Sequence, residues 1–224
     1  MGEYMSDDKV LNEFVKKSAQ KETLLFHKNE YLFCEHDPAD AVFFIRSGKI
    51  KLVKTDRLKQ HTLLRISHAG DVLSIHSAIN NHPHTNSAVA ITDVDVDRIP
   101  VSEFERMIHQ DIRYKIAFMK LLCSRIEFFE NKITGTNRKS TGERLANTFI
   151  SFYKTYGVDG NNFIDLDLPV RDIANLIGTS KEYLHKIINE FIENGLISSE
   201  SGKFKILDYG KLQQIARIKQ PAAS

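Results

Sequence analysis

The sequence predicts an α+β chain: a jelly-roll-like antiparallel β-roll, then a long helix, then a winged helix-turn-helix. Short apolar runs alternate with turn-forming residues over residues 23–99. A helical apolar stripe occupies the next stretch, and two amphipathic helices flank a glycine over residues 169–197. We therefore expect a β-roll domain over residues 1–108, a long helix over 109–136 and a winged domain over 137–224.

The composition is that of an ordinary globular protein. Hydrophobic residues make up 42% and charged residues 27% of the 224 positions, and the net charge is +2. No apolar run reaches the ~18 residues that a membrane span needs, and the acidic N-terminus lacks a signal-peptide core. We expect a cytoplasmic protein without a membrane partner. The two cysteines, Cys34 and Cys123, lie far apart and neither is in a CxxC pair, which excludes a zinc ribbon. A redox switch at Cys34 or at Cys123 is a further alternative.

Seven short apolar runs predict the strands of the β-roll: TLLF, YLF, AVFFI, KIKLV, HTLLRI, AVAI and VDVDRI. Turn signals such as HDPAD, SGK, HAGD and NNHPH separate them. Many short strands at this spacing are typical of an all-β sandwich or roll. We expect Gly48, in the RSGKI turn, to take a positive φ.

The pattern changes to that of a helix after Pro100, with Ser102 as a candidate cap and no turn signal until Gly135. Apolar residues then recur every three or four positions, at Ile112, Ile116, Met119, Leu122, Ile126, Phe129 and Ile133. We interpret this stripe as the seam of a homodimer. The alternative is a helix that packs only on its own β-roll, which Phe118, Leu121 and Phe128, off the stripe, could cover.

A polar segment with two glycines, residues 134–144, predicts a hinge before the last domain. We expect a helix over residues 144–156 and a short extended piece over 161–169. A helix from Val170 to Ile177 follows, Gly178 ends it, and Thr179 or Ser180 caps a second helix that runs to residue 193. Two helices joined by a glycine-containing turn are typical of a helix-turn-helix, and GLISSESGKFKILD adds two wing strands around a Ser-Gly turn.

The second helix separates a buried stripe from a polar one whose side chains suit base edges. Glutamate accepts from cytosine, lysine donates to guanine and asparagine pairs with adenine. The predicted DNA-contacting residues are Thr179, Ser180, Lys181, Glu182, His185, Lys186 and Asn189. Alternatives remain: Glu182 could close a capping box with Thr179, the polar face could be merely solvated, or the winged domain could dock a protein.

In the order of its domains and in its recognition-helix motif, the chain resembles the CRP–FNR family of bacterial transcription regulators over nearly its full length. GTSKEYLHKIINEFIENGLI is similar to the family's recognition-helix pattern, whose base-contacting arginine, glutamate and arginine fall on Lys181, Glu182 and Lys186. Lysine lacks the bidentate fork of arginine. Tyr183 replaces a smaller residue, and His185 occupies a position that some members use for base contact. The resemblance implies a dimer on a two-fold symmetric operator, and RNA polymerase as a partner if the outcome is activation.

The sensor end departs from the family's cyclic-nucleotide cassette. Gly70 and Asp71 are kept, but the Gly-Glu pair that follows in nucleotide-binding members has become Ser74-Ile75. The phosphate-binding arginine has become Asn86, followed by Ser87. Isoleucine cannot accept a ribose hydroxyl, and asparagine brings no charge to a phosphate. We therefore expect neither cyclic AMP nor cyclic GMP as effector.

Three histidines in GDVLSIHSAINNHPHTNSAVA raise further hypotheses about the sensor. His76 is a candidate haem ligand, since some family members sense haem. His82 and His84 could share a strand face and hold zinc or nickel, but Pro83 lies between them and no third ligand is evident. The plainer alternative is a polar loop with histidines as turn residues. The effector is thus unknown: an uncharged or hydrophobic ligand, haem, or none.

The sequence holds no signature of an enzyme. It lacks G-x-S-x-G, a phosphate-binding loop and H-E-x-x-H. We expect a homodimeric regulator that binds double-stranded DNA and catalyses no reaction.

Overall fold

The computed structural model describes residues 7–55 and 61–216, without the side chains of residues 7–8, 131–132 and 134–138. The chain divides into two compact units, residues 1–128 and 129–224. No helix in the described ranges is long and apolar enough to cross a bilayer.

Eight strands build the first unit. They are β1 (Glu22–Phe26), β2 (Tyr31–Phe33), β3 (Ala41–Ser47), β4 (Lys49–Thr55), β5 (His61–His68), β6 (Val72–Leu73), β7 (Ser87–Ala90) and β8 (Val94–Pro100). They form two antiparallel sheets, in the orders β1-β8-β3-β6 and β2-β7-β4-β5. Apolar side chains of both sheets share one core, which includes Phe43 from the first sheet and Ile50 from the second. The predicted antiparallel β-roll is confirmed.

Gly48 lies where the chain leaves one sheet for the other. β3 pairs with β8 and β6, whereas β4, which starts one residue after Gly48, pairs with β5 and β7. The φ angle of Gly48 is +86°, as the turn pattern predicted.

A second core lies between the first sheet and four helices: α1 (Asp7–Lys17), α2 (Ile75–Ile79), α3 (Val101–Gln110) and α4 (Ile112–Arg138). Phe14 of α1 is its centre, with its ring 5.1 to 5.7 Å from the rings of Phe44, Phe104, Tyr114 and Phe118. Sequence reasoning missed α1, although Val10, Leu11 and Phe14 follow the helical spacing.

The long helix differs from its prediction at both ends. A short helix, α3, begins directly after Pro100 rather than at a Ser102 cap, and extended Asp111 separates it from α4. α4 then continues past Gly135 to Arg138, and the next helix begins at Thr141. The predicted hinge over residues 134–144 is therefore wrong in length: only residues 139–140 separate the helices. Gly135 lies within α4 and Gly142 within the first turn of α5, so neither glycine ends a helix, because a glycine only weakens a helix interior.

The second unit contains α5 (Thr141–Tyr156), α6 (Val170–Ile177), α7 (Lys181–Glu193), β9 (Ile197–Glu200), β10 (Lys203–Ile206) and α8 (Tyr209–Ile215). The antiparallel pair of β9 and β10 confirms the wing. The piece expected to be extended over residues 161–169 makes only an isolated bridge between Val158 and Ile164.

Replacing Gly48 by alanine should destabilise the β-roll. A Cβ there would overlap the carbonyl oxygen of Asp93 and lie 2.9 Å from Cα of Val94. Left-handed strain costs about 1–3 kcal/mol, and the backbone overlap adds to it. Gly70→Ala is the matched control, because its φ is +91° but its Cβ would meet nothing within 4 Å in the described chain. Urea unfolding should show a larger loss for Gly48→Ala, and equal losses would contradict the steric argument.

Candidate nucleic-acid interface and sensor pocket

The helix-turn-helix is built on the apolar stripe of α7. Leu184, Ile187, Ile188 and Phe191 are buried, and α6 buries Ile173, Ala174 and Ile177. Because this stripe takes one side of α7, the polar residues at the opposite helical positions face solvent. Lys181, Glu182, His185, Lys186 and Asn189 are all exposed.

The turn between the two helices is closed by backbone geometry. Gly178 adopts the left-handed conformation at φ +71°, and its N–H donates to the carbonyl groups of Ala174 and Asn175. Ser180 is the N-cap of α7, since its hydroxyl accepts the N–H of Tyr183 at 3.2 Å. Glu182 is therefore the second residue of the helix, and the capping box with Thr179 does not form.

Arg144 of α5 holds this turn in place, a contact that sequence reasoning missed. Its guanidinium donates to the carbonyl oxygens of Ile177 at 2.7 Å and Gly178 at 3.4 Å. It also donates to the carbonyl oxygen of Lys139 at 2.7 Å. A charged group thus satisfies carbonyls at the C-terminal end of α6, which have no partner within the helix.

Charge on the interface favours an anion. Lys181 and Lys186 are exposed on α7, and the first turn of that helix carries the positive end of its dipole. In the wing, Lys203 is paired with Asp159 at 2.8 Å, which ties the wing to the loop after α5. The same pairing lowers the pKa of Asp159 and raises that of Lys203. Lys203 is thus committed to a structural contact.

Gly70 and Asp71, the first part of the cassette, form a hydrogen-bonded turn between β5 and β6, which we call the sensor turn. Gly70 takes a φ of +91°, and the Asp71 carboxylate accepts the N–H of His68 at 3.1 Å. Asp71 also lies 3.6 Å from the guanidinium of Arg65 on β5. The Asp71 side chain therefore stabilises the protein's own turn.

The substituted cassette residues are buried. Ile75 is fully buried in the core beside α1, and Ser74 takes a left-handed φ of +69°. Asn86 donates to the Thr85 hydroxyl at 3.4 Å, while the Ser87 hydroxyl accepts the N–H of Glu35 at 2.8 Å. At the two substituted positions themselves, Ile75 offers a ribose no carboxylate and Asn86 offers a phosphate no positive charge.

The three histidines are in different surroundings. His76 of α2 is exposed, and its Nε2 is 2.8 Å from the Thr85 hydroxyl. His84 is buried, lies flat on Phe33 with 3.8 Å between ring centroids, and has its Nδ1 3.3 Å from the Ser74 hydroxyl. Partial desolvation and the nearby His82 lower the pKa of His76, and burial lowers the pKa of His84. His84 is thus a packed, largely neutral side chain.

The zinc or nickel hypothesis assumed that His82 and His84 share a strand face. Both lie instead in the loop between α2 and β7. Among the described residues, no group of three or more histidine, cysteine, aspartate or glutamate side chains could hold a metal ion. Cys34 and Cys123 are free and exposed.

Two arginines join the sensor turn, and neither was found from the sequence. Arg125 of α4 donates to the carbonyl oxygen of Val72, next to the Arg65–Asp71 pair. Burial and the nearby Arg65 lower the pKa of Arg125 to about 10, which leaves it charged at neutral pH. The two guanidinium groups are more than 50 positions apart, so only the fold could bring them together.

The apolar stripe of α4 is mostly exposed. Ile112, Ile116, Met119, Ile126, Phe129 and Ile133 are each exposed by 39% or more. Leu122 differs, because it packs partly against the core beside α1. Of the three residues expected to cover the β-roll, Phe118 and Leu121 do so, whereas Phe128 is 49% exposed.

Comparison with known proteins gives matches to both parts of the chain. Residues 23–111 match the cyclic nucleotide-binding domain, and residues 143–215 match the Crp-like helix-turn-helix domain. The chain is 24% identical over 209 residues to the transcriptional activator protein anr of Pseudomonas aeruginosa, covering 92% of this chain and 83% of the relative. It is 25% identical over 186 residues to a global nitrogen regulator of Nostoc, covering 81% and 83%.

The solved structure of FixK2 from Bradyrhizobium japonicum has the same fold, with a TM-score of 0.76 at 18% identity. The match covers 91% of this chain and 99% of that one. The two domains, in this order, define a transcription regulator with a helix-turn-helix DNA-binding domain. This chain belongs to the CRP/FNR family, whose members are regulators and not enzymes.

Replacing Arg144 by methionine should loosen the turn of the helix-turn-helix. Hydrogen bonds from a charged group contribute about 1.5–3 kcal/mol, so the free energy of unfolding should fall by about that amount. Arg171→Met removes the same charge from an exposed position of α6 and should change stability by less than about 0.5 kcal/mol. Denaturant unfolding followed by circular dichroism measures both. Equal losses would show that Arg144 acts through its charge alone.

Proposed function

We propose that this protein is a homodimer that recognises a two-fold symmetric DNA operator with α7. The observation that carries the proposal is the polar face of α7, which is exposed along the helix while the opposite face is buried. Thr179, Ser180, Lys181, Glu182, His185, Lys186 and Asn189 are the proposed contacts. Each recognition helix enters a major groove, with half-sites about one helical turn apart.

The assignment of Glu182 is supported by the cap at Ser180. A glutamate that closed a capping box would be committed to the helix end, but here the cap is Ser180, and Glu182, two positions further on, is exposed. Its carboxylate is available to accept from the N4 amino group of a cytosine. Lys181 and Lys186 supply the cationic partners for guanine or phosphate.

Homodimerisation is supported by the exposed stripe of α4. A soluble helix seldom exposes six large apolar residues along one face without a partner. A second copy presents the same stripe, and the 3–4 spacing suits packing along a parallel helix pair. We assign residues 109–136 to dimerisation, residues 1–108 to sensing and residues 137–224 to DNA binding.

We propose that cyclic AMP is not the effector. A cyclic nucleotide does not fit residues that place buried Ile75 and Asn86 where its hydroxyl and phosphate would need a carboxylate and a guanidinium. The adjoining Arg65 and Arg125 support a small anion of another shape, since both guanidinium groups lie at the turn that contains Asp71 and Val72. Haem at His76 would first have to displace the Thr85 hydroxyl from Nε2.

The proposal places the protein in the bacterial cytoplasm with double-stranded DNA, and with RNA polymerase where it activates. Selection from random DNA duplexes by the purified full chain, without effector, tests it. We expect a palindrome to be enriched and added cyclic AMP to leave the yield unchanged. If no sequence is enriched, with or without cyclic AMP or haem, the winged domain docks protein and the proposal is wrong.

Replacing Glu182 by alanine should relax base choice at one base pair in each half-site. Loss of one base-edge contact costs about 1–3 kcal/mol of discrimination. Glu193→Ala makes the same charge change at the far end of α7 and should keep the parent's preference. Repeating the selection with both variants measures the effect. If Glu182→Ala enriches the parent's operator unchanged, Glu182 does not contact a base.

Replacing Ile126 by aspartate should convert the dimer to a monomer. Ile126 is 59% exposed on the apolar stripe, and a carboxylate there would face its own copy across the seam. Ser124→Asp introduces the same charge at an exposed position on another face of α4. Sedimentation equilibrium should give one chain for Ile126→Asp and two for Ser124→Asp. A parent that sediments as a monomer would reject the dimer.

A further inference from the structure

Tyr183 is a large aromatic residue in the first turn of α7, where a side chain rich in apolar surface is not expected. It is 47% exposed. The other exposed residues of the first two turns, Lys181, Glu182, His185 and Lys186, are all polar or charged. Tyr183 thus presents the large apolar surface at this end of the helix.

Among the described residues, the ring of Tyr183 has no polar or aromatic partner. Its backbone N–H donates to the Ser180 cap, but in the described chain its side chain makes no hydrogen bond and stacks on no other ring. Tyr183 follows Glu182 by one position and precedes Lys186 by three. It therefore lies beside Lys186 at the edge of the polar face, next to the buried stripe.

The first turn is the part of a recognition helix that meets base edges. Hydrogen-bonding side chains distinguish most bases there, but the 5-methyl group of thymine is apolar and is recognised by apolar contact. An exposed tyrosine ring suits that methyl group, since contact removes apolar surface of both from water. Its hydroxyl can remain in solvent at the edge of the groove.

We propose that Tyr183 is a specificity-determining residue, whose ring contacts the methyl group of a thymine at one position of each half-site. This assignment rests on the proposed DNA recognition by α7. It adds an apolar contact to a face whose other candidate contacts are polar.

The experiment uses the operator that the full-length parent enriches, with each thymine replaced in turn by deoxyuridine. This change removes only the methyl group. We expect the parent's affinity to fall roughly four-fold at one thymine per half-site, the factor corresponding to burial of one methyl group. Tyr183→Ala should bind the thymine and uracil operators equally, and Tyr183→Gln provides a second truncation. Tyr183→Phe should keep the four-fold preference.

Ile192→Ala is the matched control, because Ile192 is 38% exposed on the same helix but lies in its last turn. It should keep the thymine preference. If an operator is enriched but no uracil replacement changes its affinity, the assignment of Tyr183 is overturned while DNA recognition by α7 stands. If Tyr183→Phe loses affinity by the same factor for the thymine operator and for every uracil operator, the assignment is overturned, and the hydroxyl contacts a phosphate instead. Failure to enrich any operator would overturn the proposed function together with this inference.

Discussion

Burial of the apolar stripe of α7 is the constraint on which the proposed DNA interface depends. Leu184, Ile187, Ile188 and Phe191 occupy one side of the helix. Because the helical repeat is fixed, their burial decides the direction of every polar side chain between them. The left-handed Gly178 and the guanidinium of Arg144 then hold the start of α7 against the end of α6. Packing, turn geometry and one charged contact therefore define a single rigid face.

α4 makes a contact with the sensor turn on one face and exposes an apolar stripe on another. Arg125 donates to the carbonyl oxygen of Val72 in the sensor turn, while the next residue, Ile126, is exposed on the apolar stripe. Adjacent helical positions differ by about 100°, so one helix can touch the sensor and a second copy at the same level. The helix that contacts the sensor turn therefore also carries the proposed dimer seam.

The residues at the cassette positions contribute to the packing and the turn of this chain itself. Ile75 contributes to the core, and the left-handed Ser74 and the Asp71 turn keep the local shape. Positive charge enters from elsewhere, through Arg65 on β5 and Arg125 on α4. Burial lowers the pKa of His84, whose ring stacks on Phe33 and lies beside the Ser74 hydroxyl.

The sequence by itself determined the order of the parts, the bounds of α6, the wing, and the two faces of α7. Those features follow from local periodicity and from glycines, which act over a few residues. Only the tertiary structure decided that α1 packs Phe14 into a core with Tyr114, that Arg144 satisfies carbonyls more than 30 positions away, and that Ser180 rather than Thr179 caps α7. It also decided that α4 continues through Gly135. The contacts of Phe14 and Arg144 join distant segments, and their energies depend on burial and distance that no local pattern encodes.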